Sequence, residues 1–290
     1  MAGLLTMMVS GNNLSAAVGT IIGARTVRRR TGLLIGLAGF SIGLVTEGRF
    51  LLSASGSLMP RSDYYVFLAF LVSFVIFTIA TYFRTPLSLT MALVGTAAGI
   101  SLRLSFPVPY SFLFLLILVW ILAPVLSIAG SFALSRLIQA REPKNAWETA
   151  ATSKVLLIAA SFFTAFTLGA NTLGLILTLA GASTWVYVSM LIGIAVGSIF
   201  LGGGTIKRIG EELYSMRYSS ALVSLLVSSI SVEVSTIFGV PLSNTQTLTS
   251  SVVGTGLSYR YKTIYLRPYL VIIGMWVVSP IAGFILGFLI

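Results

Sequence analysis

The sequence has no cysteine and no histidine. That removes disulfides, thiol chemistry and the usual zinc and haem ligands together. Asp63 is the only aspartate, so an intramembrane protease with two aspartates is excluded, and the missing histidine excludes a Ser–His hydrolase with equal force. Charge of either sign is scarce: 9% of the 290 residues, 18 basic side chains against 7 acidic. What fills the chain is apolar, with 57% hydrophobic residues and a mean hydropathy of +1.01. No soluble fold hides that much apolar surface, so the chain reads as an all-α polytopic membrane protein and not as an enzyme.

A net charge of +11 would suggest nucleic acid if it gathered on one soluble face. Here the basic residues fall between hydrophobic runs, so they report topology; the expected partner is the lipid bilayer, and no nucleic acid is expected. Ten runs are candidate spans, at roughly 2–23, 32–48, 64–83, 86–102, 108–135, 152–178, 182–203, 218–238, 241–258 and 264–290. The fourth and ninth are short and rich in Gly, Ser and Thr, the composition of re-entrant or broken helices. With the first connection on the cytoplasmic side, only Arg49, Arg61 and Arg103 of the 18 basic residues fall outside. This strong inside bias predicts a multi-pass protein of the cell membrane with both termini outside. The first run has no basic leader before it and carries Arg25, Arg28, Arg29 and Arg30 after it, so it is expected to stay as a span.

One stretch stands apart from the oily background. Residues 239–256 hold Pro241, Leu242, Ser243, Asn244, Thr245 and Gln246, a hydroxyl- and amide-rich segment in which a helix is expected to restart at Pro241. Alone it reads as a hinge between packed helices. It has a twin, however, at Pro86, Leu87, Ser88, Leu89 and Thr90, with a glycine thirteen positions after each proline, at Gly99 and Gly254. Repeated broken segments in a membrane protein point to a transporter's binding site, because a helix N-terminus presents free N–H groups and a positive dipole end.

Two further pairs keep the same order. Asn12 and Asn171 lie in the first span of each half, 74 and 70 positions before the prolines, and Trp120-x-x-x-Pro124 and Trp276-x-x-x-Pro280 follow them by 34 and 35. The chain therefore divides into a first repeat over 1–140, a cytoplasmic linker over 141–153 and a second repeat over 154–290. Five spans per repeat is an odd number, so the second repeat is expected upside down relative to the first. The tryptophans and their prolines read as packing and kink positions.

Several polar residues sit where hydrocarbon is expected. Asn12, Asn13, Asn171 and Thr172 are either helix glue or ligands, and the repeat symmetry favours ligands. Their oxygens suit Na⁺ and their amide N–H groups suit an oxyanion. Glu233 is a carboxylate well inside a predicted span, eight positions before Pro241, and is a candidate for proton coupling. Arg84 reads as an interface anchor, and Glu142, Glu148, Glu211 and Glu212 as solvated loop residues.

These residues resemble the inorganic phosphate transporter (PiT) family, whose halves each carry Gly-Ala-Asn-Asp-x-x-Asn followed by Pro-Val-Ser-x-Thr-His. Gly169, Ala170 and Asn171 match the first motif literally; Ser10, Gly11 and Asn12 match it more loosely. Pro86, Ser88 and Thr90, and Pro241, Ser243 and Thr245, match the second. The resemblance implies substrate contacts at Asn12, Ser88, Thr90, Asn171, Ser243 and Thr245. Asn244 and Gln246 join them by position, and Asn13, Thr172 and Glu233 are the coupling-ion candidates. The motif aspartates are absent: their places hold Asn13 and Thr172, while the family's His falls on Met91 and Gln246. Losing both carboxylates removes the strongest Na⁺ ligands and the simplest proton acceptors, and a neutral site also suits sulfate, which needs donors only.

The expected function is secondary active transport of an inorganic oxyanion, phosphate first, coupled to a Na⁺ or H⁺ gradient, with no cofactor beyond such a coupling ion and no resident metal. The rivals are a sulfate or other oxyanion transporter, a passive anion channel of the same design, and an assembly subunit that uses the motifs only for packing. A homo-oligomer is compatible with each.

Overall fold

The computed structural model describes residues 1–23, 26–83, 87–140, 146–201, 218–259 and 266–290, and every regular element among them is helical. The helices are α1 (Ala2–Gly23), α2 (Arg29–Thr46), a short α3 (Leu52–Ser55), α4 (Asp63–Tyr82), α5 (Leu89–Arg103) and α6 (Tyr110–Gln139). They continue with α7 (Ala146–Leu168), α8 (Gly174–Leu179), α9 (Thr184–Val196), α10 (Tyr218–Ile237), α11 (Asn244–Tyr259) and α12 (Leu266–Leu289). A π-helical turn, Gly169–Leu173, joins α7 to α8, so the two make one long span. All ten predicted spans coincide with helix. Pro86, Arg84, Glu142, Glu211 and Glu212 lie outside the described residues, and α7 begins early enough to take in Glu148.

Among the described residues, seven helices are long and apolar enough to cross a bilayer. The predicted second, fourth and ninth spans fall outside that set; the second, α2, has 18 residues and opens on Arg29 and Arg30, and the other two are shorter. At 15 and 16 residues, α5 and α11 reach roughly 23 Å at 1.5 Å per residue, short of a hydrocarbon core about 30 Å thick. Neither is long enough to cross that core by itself, the length expected of broken helices.

Close packing joins elements far apart in sequence. The glycines of α5 and α12 interlock: a side chain at Gly95 or Gly99 would strike the backbone of Pro280 or Phe284, and one at Gly283 or Gly287 that of Ala92 or Thr96. Without a hydrophobic drive between helices in lipid, such backbone approach is the main source of packing energy. The corresponding helix of the second half, α11, packs on α6, with Gly254 against Ile128 and Ser131. Likewise α2 lies on α7 and α1 on α9.

The helix restart differs from expectation by three residues. α11 begins at Asn244, not at Pro241, because the preceding break is its own hydrogen-bonded structure. α10 ends with Gly239 in the left-handed region (φ 70°). The Gly239 N–H donates to the Thr236 carbonyl (2.8 Å) and the Val240 N–H to that of Ser235 (2.9 Å), the paired bonds of a Schellman ending. In the first half Ser88 is the N-cap, its Oγ accepting from the Met91 N–H at 3.3 Å.

Candidate functional site

The tips of α5 and α11 meet. A buried cleft between them is lined by Ser88, Leu89 and Thr90 from the first half and by Ser243, Asn244 and Thr245 from the second. Asn13 of α1 and Thr172 of the π turn complete its polar wall, with Phe77 and Leu87 as the apolar side. Its volume is about 10 Å³, the room of about one water molecule. Ser88, Thr90, Ser243 and Asn244 are buried, while Asn13 and Thr245 are half-buried.

Among the described residues, the cleft is lined by no ionisable side chain. What it offers an anion is the helix starts themselves, with their positive dipole ends and the N–H groups of their first residues; the third N–H of each is already taken, Met91 by Ser88 Oγ and Gln246 by the Ser243 carbonyl. Hydroxyls supplement them. Ser243 Oγ and Thr245 Oγ1 are 2.8 Å apart, and Ser228 Oγ donates to Asn244 Oδ1 at 3.3 Å while pairing with Thr247 Oγ1 at 2.8 Å. That leaves the Asn244 amide N–H₂ as the end of the side chain suited to an oxyanion.

Seven of the eleven predicted site residues thus line one cleft, and four do not. Asn12 is beside Asn13 on α1, half-buried. Asn171 is fully buried behind the cleft and its carboxamide is spent on the break: Nδ2 donates to Thr236 Oγ1 (2.9 Å) and the Val240 carbonyl (3.1 Å), while Oδ1 accepts from the Leu242 N–H (2.9 Å). It is a latch on the non-helical segment, where buried backbone groups would otherwise be unpaired. Gln246 is buried on the far side of the α11 tip, its Nε2 reaching the Trp120 carbonyl at 3.5 Å. Glu233 lies away from the cleft, its carboxyl against that of Glu47 at the end of α2, with one oxygen of each buried and without a hydrogen-bond partner.

Sequence reading missed the clasp around these tips. Pro124 has no N–H, so the Trp120 carbonyl one turn back has no helical donor and is open to Gln246; the Trp120 indole N–H meanwhile donates to the Pro241 carbonyl at 3.0 Å. Ser279 does a related service in the other half, its Oγ accepting from the Ser88 N–H at 3.3 Å. The Trp-x-x-x-Pro spacing was the available signal for the first; nothing marked Ser279.

The described residues form a multi-span helical bundle with a polar cleft built from two helix starts, an arrangement of the kind membrane transporters use. Residues 9–287 match the model of the phosphate transporter family, and the chain belongs to that family. It is 26% identical to a protein named as a phosphate permease in Methanocaldococcus jannaschii, over 99% of this chain and 93% of the relative. It is 23% identical to the sulfate permease of Bacillus subtilis, over 98% of this chain and 83% of the relative. The fold matches a solved sodium-dependent phosphate transporter with a TM-score of 0.83 at 16% identity, over 99% of this chain and 96% of that one.

Proposed function

We propose that the protein is a secondary active transporter of an inorganic oxyanion, phosphate first, driven by an H⁺ or Na⁺ gradient through alternating access. One observation carries the reading: two helix starts from distant parts of the chain place Ser88, Thr90, Ser243, Asn244 and Thr245 around a single buried, uncharged cleft. Each helix end contributes about half a positive charge, so the pair offsets roughly one negative charge without a cation that would hold the cargo too tightly. Asn13 and Thr172, in the same wall, offer neutral oxygens to Na⁺. Glu233 with Glu47 is the place for a travelling proton. Asn171 serves by positioning the α11 tip, Gln246 by bracing it, and Asn12 as the neighbour of Asn13.

The exchange of partners, α5 with α12 and α11 with α6, α2 with α7 and α1 with α9, supports two repeats in inverted relation over 1–140 and 154–290. The family match to a transporter supports the cell membrane as its place, and the basic-residue bias supports external termini. A cleft with space for one water supports alternation over a continuous pore.

The second reading is sulfate. Among the described residues no carboxylate lines the cleft, so a protonated phosphate oxygen finds only neutral acceptors from them, whereas sulfate needs none. Uptake into proteoliposomes with phosphate and sulfate in competition, under separately imposed Na⁺ and H⁺ gradients, tests both. Saturable, gradient-dependent phosphate uptake is expected; gradient-independent flux would establish a channel, and no flux of either anion would defeat the transport reading.

A further inference from the structure

The α5/α12 pair and the α6/α11 pair each pack tightly within themselves, yet α6 and α12 stand apart. Between them lies a cavity of about 680 Å³, far larger than the polar cleft. It reaches from Ile117 and Ile121 on α6 and Ile273, Val277 and Ile281 on α12, all well exposed on the bilayer-facing surface, inward to Met91 and Gln246 at the helix tips. Thr90 and Thr245 line the polar cleft, while the next residue of each helix, Met91 and Gln246, lines this cavity. The two chambers therefore lie back to back across the same two tips.

We propose that this seam is a binding site for the acyl chain of a membrane phospholipid. Its wall is hydrocarbon; the polar groups among its lining residues are buried, as with Gln246 Oε1 and Trp276 Nε1, or taken up, as with the Trp120 indole bonded to Pro241. It is continuous with the surface the protein turns to lipid, so the bilayer supplies the occupant. A cavity of this size left empty forfeits the contacts of every side chain around it, and hydrocarbon entering it restores them; Gln246 Oε1 and Trp276 Nε1 are already buried without a hydrogen-bond partner, so its entry breaks no bond of theirs. Because the seam separates two packed pairs, the chain seated there spaces them, and their relative movement requires it to yield. The seat rests on the membrane fold alone, whereas its influence on turnover rests on the proposed transport cycle.

Two of the four tryptophans, Trp120 and Trp276, line the seam, which gives a direct readout. With Trp147 and Trp185 replaced by phenylalanine, the protein is reconstituted into phosphatidylcholine brominated near the chain end, at mid-chain, or close to the headgroup, and indole quenching is measured. Saturable quenching that depends on bromine depth is expected, and Ala98→Phe, which fills the seam from α5, should abolish it. Ile117→Phe repeats the test from the opposite wall should the first variant fail to fold. Equal quenching in the parent and both filled variants would overturn the proposal, since it would report only general contact with lipid. Depth-dependent quenching in a protein that moves neither phosphate nor sulfate would keep the seam and remove the transport reading.

Discussion

Ser243 and Thr245 are the residues at which the anion reading is most exposed. Each brings a hydroxyl to the cleft, and a hydrogen bond to a charged group contributes about 1.5–3 kcal/mol. Ser243→Ala or Thr245→Ala should therefore raise the half-saturating phosphate or sulfate concentration by roughly ten- to a hundredfold, at about 1.4 kcal/mol per tenfold, with thermal unfolding in detergent little changed. Asn171 should behave in the opposite way. Removing its carboxamide strands the Leu242 N–H and a Val240 lone pair in a buried segment, each lost bond worth about 1–3 kcal/mol, so Asn171→Ala should lower the unfolding temperature before any transport assay is run. Asn171→Asp restores the acceptor to Leu242 but not the donor to Val240, and should fall between. The sequence made Asn171 and Ser243 legible as a set, because the Gly-Ala-Asn and Pro-Leu-Ser motifs recur. It did not reveal that the first holds the backbone on which the second is mounted, since that bond spans 71 residues.

The helices divide by how they are held. α10 is a serine-rich helix tied by side-chain pairs to three neighbours: Ser228 to Thr247 of α11 (2.8 Å), Ser231 to Ser127 of α6 (3.3 Å) and Ser229 to Thr164 of α7 (2.8 Å). Its counterpart α4 is apolar, and among the described residues no side-chain hydrogen bond joins α4 to α5. For α5 the holding force is backbone proximity to α12, so Gly95→Leu or Gly99→Val should separate the pair. Loss of the monodisperse species in detergent would be the sign, whereas the same change at Gly274, where a side chain meets open space, should be silent. Hydropathy alone made a helix legible at each of the ten places, seven of them long and apolar enough to span a bilayer. Helix starts were not legible, because α11 begins where the Schellman ending and the Asn171 latch release the chain, and neither feature has a local sequence mark beyond Gly239.

For the molecule as a whole, the absence of cysteine makes topology directly testable. A single cysteine placed at Ile290, exposed just after α12, should react with a membrane-impermeant maleimide added to intact cells, while one at Asn145 should react only after permeabilisation; the reverse pattern would invert the protein. The proton coupling proposed above would be a property of the whole chain, because Glu47 and Glu233 meet from different halves. Glu233→Gln should abolish uptake driven by a proton gradient while leaving anion exchange at equal concentrations on both sides, and Glu47→Gln should reproduce it. Uptake with its proton dependence intact in both variants would assign coupling elsewhere. The partnership of Glu47 with Glu233 was not visible beforehand, since nothing in sequence aligns the end of the second span with the middle of the eighth.

The two helix tips are anchored unequally. The α11 tip is fastened by Asn171, by the Trp120 indole and by the hydroxyls of α10, while among the described residues the α5 tip is secured by its own serine cap and one bond from Ser279. If the cargo chamber opens to each side by withdrawing one tip, the door on the α5 side has far fewer bolts. Unlocking would then follow a fixed order in every turnover, and the resting molecule would favour one orientation even with no gradient applied.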